Sequence, residues 1–142
     1  MFHNVKKRTI ERLLREARTV AIVGLSSNPA RPSYGVARAL QRFGYRIVPV
    51  NPGESTVLGE RAVPTLDRVA DVLAPGERID IVDVFRRPEH VAAIVEDCIR
   101  LKVPALWLQD GVIDEAAAER AQAAGITTVM DRCIYRDRAA LG

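Results

Sequence analysis

Residues 19–33 read Thr19-Val-Ala-Ile-Val-Gly24-Leu-Ser-Ser-Asn-Pro-Ala-Arg-Pro-Ser33. The unbroken run closed by Gly24 predicts a strand buried on both faces. The polar stretch from Leu25 to Pro32 predicts a loop. Ser33 is placed to cap a helix whose inner face carries Val36, Ala37, Leu40 and Phe43, and Gly44 ends it. A strand that runs through a polar loop into a helix is the unit from which nucleotide-binding α/β folds are built.

The same alternation extends in both directions. Upstream, Ile10, Leu13, Leu14 and Ala17 follow helical spacing, so a helix is expected over about residues 4–17. Downstream, Tyr45–Val50 reads as a second strand. Its Pro49 belongs where a backbone N–H is not needed. A short strand near Ala62-Val63 and a short helix through Leu66, Val69, Ala70 and Leu73 follow, stopped by Pro75-Gly76. Ile79–Val84, Ala105–Leu108 and Ile126–Met130 read as strands. Between them lie helices opened by Pro88 and by Asp114, the second closed by Gly125. Strands alternating with helices imply an α/β, Rossmann-like doubly wound fold: a mainly parallel sheet with helices on both faces. Residues 1–142 are expected to form one domain.

Composition narrows the function classes. Hydrophobic residues make up 48% and charged residues 27%, which is globular and not disordered. No apolar run approaches a membrane span and the N-terminus does not read as a signal peptide, so a cytoplasmic protein without a membrane partner is expected. The net charge is +3, and arginine far outweighs lysine, which occurs only at 6, 7 and 102. Lys6, Lys7, Arg8, Arg12, Arg15 and Arg18 read as the solvated face of the first helix. Aromatic residues are too few for a nucleic-acid stacking platform. Cys98, Cys133, His3 and His90 have no metal-ligand spacing, and both cysteines are expected reduced in or near the core.

Doubly wound sheets bind ligands beyond the carboxyl ends of their strands, so the loops after Val23, Val50, Val84 and Leu108 carry the candidates. The first loop departs from the dinucleotide G-x-G-x-x-G pattern: Ser26 stands at the second glycine and Pro29 at the third. Its chemistry still suits phosphate. The Ser26, Ser27 and Ser33 hydroxyls can donate, Arg31 adds a guanidinium, and the helix start favours an anion. After the second strand Asn51-Pro52 replaces the acidic residue that holds NAD ribose. Phe85-Arg86-Arg87 and Gln109-Asp-Gly111 complete the rim. An NAD(P)-binding enzyme or redox sensor stays open at this point, since Arg31 or Arg86 can meet a 2′-phosphate. So does an enzyme that uses Cys133, flanked by Asp131 and Arg132, as nucleophile.

Residues 23–33, 44–52 (Gly-Tyr-Arg-Ile-Val-Pro-Val-Asn-Pro), 82–89 (Val-Asp-Val-Phe-Arg-Arg-Pro-Glu), 107–112 (Trp-Leu-Gln-Asp-Gly-Val) and 131–133 (Asp-Arg-Cys) together resemble the family of small stand-alone CoA-binding domain proteins. That family is similar to the CoA-binding domain of the succinyl-CoA synthetase alpha subunit. The resemblance runs from about residue 10 to 138. It implies a five-stranded sheet holding coenzyme A, or an acyl-CoA, at its carboxyl rim. It implies that Gly24, Ser26 and Arg31 lie near the nucleotide phosphates and Asn51 and Pro52 near the adenosine. Val84, Phe85 and Arg86 would border the cofactor, with Gln109 and Gly111 at the same rim. The synthetases also need an active-site histidine in a second domain and a nucleotide-grasp domain, and this chain has neither. His90, early in a helix after Pro88, reads as a surface residue. The resemblance therefore implies a non-catalytic CoA-binding protein, for sensing, storage or presentation to a protein partner.

Overall fold

The computed structural model describes residues 1–142. Its strands are β1 (Thr19–Val23), β2 (Arg46–Val50), β3 (Thr56–Val57), β4 (Glu60–Arg61), β5 (Ile81–Val84), β6 (Ala105–Leu108) and β7 (Thr127–Val129). Its helices are α1 (Lys7–Glu16), α2 (Pro32–Arg42), α3 (Val91–Arg100), α4 (Glu115–Ala123) and α5 (Ile134–Ala139), with 3₁₀ turns at Leu66–Asp71 and Pro88–His90.

Five strands form one parallel sheet in the order β2-β1-β5-β6-β7. The chain leaves β1 in one direction to reach β2, then returns to β5 and proceeds the other way. Right-handed crossovers taken in opposite directions put their helices on opposite faces. The core divides accordingly. Ile22, Ile47, Ile81 and Trp107 pack under Leu14 of α1, Leu40 of α2 and Ile134 of α5. Ala21, Val48, Val82 and Leu106 pack under α3 and α4. Strands buried on both faces explain why β1 and β6 read as near-continuous apolar runs. Trp107 is fully buried, and its indole Nε1–H donates to the Arg132 carbonyl at 2.8 Å. Burying each such large side chain stabilises the fold by about 1.5–3 kcal/mol.

Pro49 sits in the edge strand β2. Its carbonyl accepts the Val63 N–H on the side away from β1, and a strand residue's nitrogen faces the same way as its carbonyl. The missing N–H therefore removes nothing from the pairing with β1. The Asp114 carboxylate caps α4 by accepting the Ala117 N–H at 3.0 Å.

Four local features differ from the sequence expectation. Ser33 is not the cap of α2. Arg31 holds that position, Pro32 opens the helix, and the Ser33 hydroxyl turns back to accept the Ser26 N–H. The ring geometry of proline suits the first helical position, so it sets the start two residues early. The stretch after Asn51-Pro52 folds as a β3–β4 hairpin, and Val63 makes only a single bridge to Val50. The segment from Leu66 is 3₁₀. The terminal residues 134–139 form α5, whose one fully inward residue, Ile134, left too weak a periodicity to read. No helix is long and apolar enough to cross a membrane.

Candidate functional site

Strand order reverses between β1 and β5, so the loops that leave their carboxyl ends diverge and open a crevice. A cavity of about 830 Å³ occupies it. Its wall is Gly24, Ser26, Arg31, Pro32, Ser33 and Val36 from β1 and α2, Asn51 after β2, Phe85 and Arg86 after β5, Gln109, Asp110 and Val112 after β6, and Cys133 and Arg136 beyond β7.

Gly24 decides how close β1 and β5 come at this rim. Its φ is +87°, and a Cβ there would stand 2.3 Å from the Phe85 carbonyl oxygen and 2.9 Å from Cδ of Arg86. Only glycine takes that conformation and that approach together. The two loops are thereby held in contact, and the Arg86 stem lies against the Gly24 backbone.

The β1–α2 loop is folded by its own polar groups. Ser33 Oγ accepts from Ser26 N–H at 3.1 Å, Ser26 Oγ from Asn28 N–H at 3.0 Å, and Asn28 Oδ1 from Ala30 N–H at 2.9 Å. Ser27 N–H donates to Glu54 at 2.7 Å. Both serine oxygens act as acceptors, so their O–H hydrogens remain available to donate. At the first turn of α2, Tyr34 N–H goes to the Arg31 carbonyl, while Ser33 N–H has no partner in the chain. Arg31 and Arg86 form no ion pair. An anion that enters the cavity thus meets two unpaired guanidiniums, a helix N–H and two hydroxyls.

Asn51 plays another part. Its Nδ2 donates to the Leu25 carbonyl at 3.1 Å and its Oδ1 accepts from Gly53 N–H at 2.9 Å. Its amide ties the β2 end to the β1 loop. At the far side Gln109 is 5% exposed; its Oε1 accepts from Ile134 N–H at 3.1 Å, and its amide nitrogen has no partner in the chain. Arg136 pairs with Asp110 at 2.8 Å, and that hydrogen bond holds its guanidinium above the ordinary pKa.

Of the residues expected from sequence, the cavity brings together Gly24, Ser26, Arg31, Ser33, Asn51, Phe85, Arg86 and Gln109. Ser27 and Pro52 are exposed off the wall, Val84 points into the core under α3, and Gly111 is exposed with its N–H on Asp131. Pro32, Val36, Asp110, Val112, Cys133 and Arg136 were not among the residues expected there. Arg132, read from sequence as the neighbour of Cys133, turns instead to Asp137 at 2.7 Å. Arg136 shares the cavity wall with the thiol. His90 is exposed.

Asp83 was missed altogether. It lies on β5 between Ile22 and Trp107, fully buried, and neither carboxylate oxygen has a hydrogen-bond partner. Burial pushes its pKa well above the usual carboxylate range, against a smaller opposing pull from the Val84 backbone. A strand reading that counts only apolar alternation passes over a single acid.

Residues 18–138 match the CoA binding domain family. The chain belongs to that family. It is 37% identical over 131 residues to the uncharacterized protein YneT of Bacillus subtilis, an alignment that covers 92% of this chain and 93% of YneT. A hypothetical protein from Pyrococcus horikoshii OT3 superposes with a TM-score of 0.89 at 27% identity, over 100% of this chain and 99% of that one. A dinucleotide-forming acetyl-coenzyme A synthetase of Ca. Korarchaeum cryptofilum shares the fold, with a TM-score of 0.67 at 20% identity, over 84% of this chain but 27% of the synthetase.

Proposed function

We propose that this CoA-binding family member holds coenzyme A in the crevice between the β1 and β5 loops without catalysing a reaction of it, serving to sense, store or present the cofactor to a protein partner. One observation carries the reading: Arg31 and Arg86 stand unpaired on the wall of an 830 Å³ cavity at the switch point, beside the Ser33 N–H. Such a set suits the phosphates of CoA. Gly24 supplies the close backbone approach that a diphosphate needs, and Phe85, Val36 and Val112 offer apolar wall to the adenine ring or the pantetheine arm. The amide of Asn51 is engaged within the loops and occupies the β2 end where an acid would hold a nicotinamide-dinucleotide ribose, while Glu54 beyond it takes the Ser27 N–H. The titratable side chains on the wall are Arg31, Arg86, Arg136, Asp110 and Cys133, a set that holds no histidine and whose one carboxylate is paired with Arg136.

Isothermal titration with CoA, NAD, NADP and ATP tests this, alongside Arg31→Ala. CoA is expected to bind in preference to the others, with affinity reduced tenfold or more by the substitution, since a hydrogen bond to a charged group contributes about 1.5–3 kcal/mol. No heat with CoA, or a preference for NADP, overturns it.

A further inference from the structure

The chain has two cysteines, both buried, and only one of them lines the cavity. Cys98 is fully buried on α3, where burial pushes its thiol up to about 12. A thiol in that state is inert. Cys133 is the residue that precedes α5; it is 8% exposed, forms no disulfide, and lines the cavity. Beside it Gln109 is almost wholly buried, fixed through Oε1 by the Ile134 N–H, and presents an unpartnered amide nitrogen to the same cavity. That nitrogen is open to the cavity, where an acceptor on a ligand can take its hydrogens. The far end of the cavity is therefore shaped for a ligand with hydrogen-bond acceptors.

The sheet also sets a length. The Arg31 side lies beyond β1 and Cys133 beyond β7, three strand spacings apart in the order β1-β5-β6-β7. At about 4.8 Å per spacing that is about 14 Å. A pantetheine arm has as many chain bonds between its phosphate ester and its sulfur as about four residues of extended polypeptide, which reach roughly 14 Å. Its two amide carbonyls are acceptors of the kind the Gln109 nitrogen lacks.

We propose that Cys133 forms a reversible mixed disulfide with coenzyme A bound in the cavity, so that the thiol is a redox-controlled anchor for the cofactor. This rests on the CoA-binding reading above. The step balances with CoA disulfide as the oxidant. Cys133 gives its proton to solvent, and its thiolate attacks one sulfur of the CoA disulfide. The new sulfur–sulfur bond forms as the old one breaks, and the second CoA leaves as a thiolate that takes a proton from solvent. Cys133 is oxidised and the departing CoA is reduced.

The experiment incubates the reductant-free protein with CoA disulfide and, separately, with glutathione disulfide at equal concentration. Intact mass and peptide mapping are read over time. In parallel, CoA binding to the wild type is measured by calorimetry in excess phosphine reductant. The expected result is a mass gain of one CoA less two hydrogens, mapped to Cys133 and not Cys98, reversed by dithiothreitol and absent from Cys133→Ser. It should form about tenfold faster or more than the glutathione adduct, and Arg31→Ala should slow the CoA reaction while leaving the glutathione rate alone, as binding-directed exchange requires. If CoA binds under reductant but no adduct forms, or both disulfides react alike, the anchor is overturned and the CoA reading stands. If CoA does not bind under reductant, the CoA reading falls and the anchor with it, whatever adduct appears.

Discussion

At the amino ends of the strands, acids meet their partners. Asp80 accepts from Arg18 N–H at 2.8 Å and Thr19 N–H at 3.0 Å. Glu77 holds Arg46, the Ala74 N–H and the Thr19 hydroxyl, and Arg46 also donates to the Val72 carbonyl. At the carboxyl ends of the same strands Arg31 and Arg86 have no acid, and Gln109 has a bare amide nitrogen. The amino rim closes its charges against one another, which makes it structural. The carboxyl rim pairs Arg136 with Asp110 and leaves its other donors without acceptors in the chain, as the proposed ligand requires. A charge cluster is informative when it is incomplete.

Substitutions can break or sharpen this contrast. The largest effect is expected for Gly24→Ala. Its positive φ alone costs roughly 1–3 kcal/mol, and the Cβ collides with the Phe85 carbonyl. Urea denaturation should show at least that loss and calorimetry no CoA binding. Unchanged stability would mean that the β1 and β5 loops part readily.

Arg86→Ala should separate the rims most cleanly. CoA affinity should fall tenfold or more, while urea stability stays within about 0.5 kcal/mol, as for other surface changes. A loss of stability comparable to the loss of affinity would make Arg86 a structural residue. Glu77→Ala is the mirror case. It removes partners from Arg46, Ala74 and Thr19, so about 1–3 kcal/mol of stability should go with CoA affinity kept within twofold. Weakened CoA binding there would show that the two rims are coupled.

The smallest effect concerns Asp83, whose raised pKa has a sign. The unfolded carboxyl ionises near pH 3.9, whereas the buried one keeps its proton to higher pH. The folded state binds the extra proton, so this stability is complete below about pH 4 and is lost as pH rises toward the folded pKa. Asp83→Asn should flatten the fall in stability between about pH 4 and 7, measured by urea melts at each pH. Parallel wild-type and variant curves would mean that Asp83 is ionised and solvated.

The double winding, the buried strands and the phosphate-friendly first loop were legible because periodicity and glycine placement are local signals. Gly24 and Arg31 could be named from sequence for that reason. Arg136 and Cys133 could not be assigned to the cavity, since they follow β7 and reach it only because the strand order sets β7 beyond β6. Ser27 and Val84, also named from sequence, lie off the cavity wall. One residue of register decides whether a side chain faces a cavity or a core.

By itself the sequence determined the fold class, the rim at which the cavity opens and the family resemblance, because each rests on patterns within a few residues. Only the tertiary structure decided which arginines stay unpaired, that Asn51 is tied up within its loops, that Asp83 is stranded without a partner, and that one cysteine is sealed in the core while the other faces the cavity. Charge pairing and burial depend on neighbours distant in sequence, and those neighbours exist only once the chain has folded.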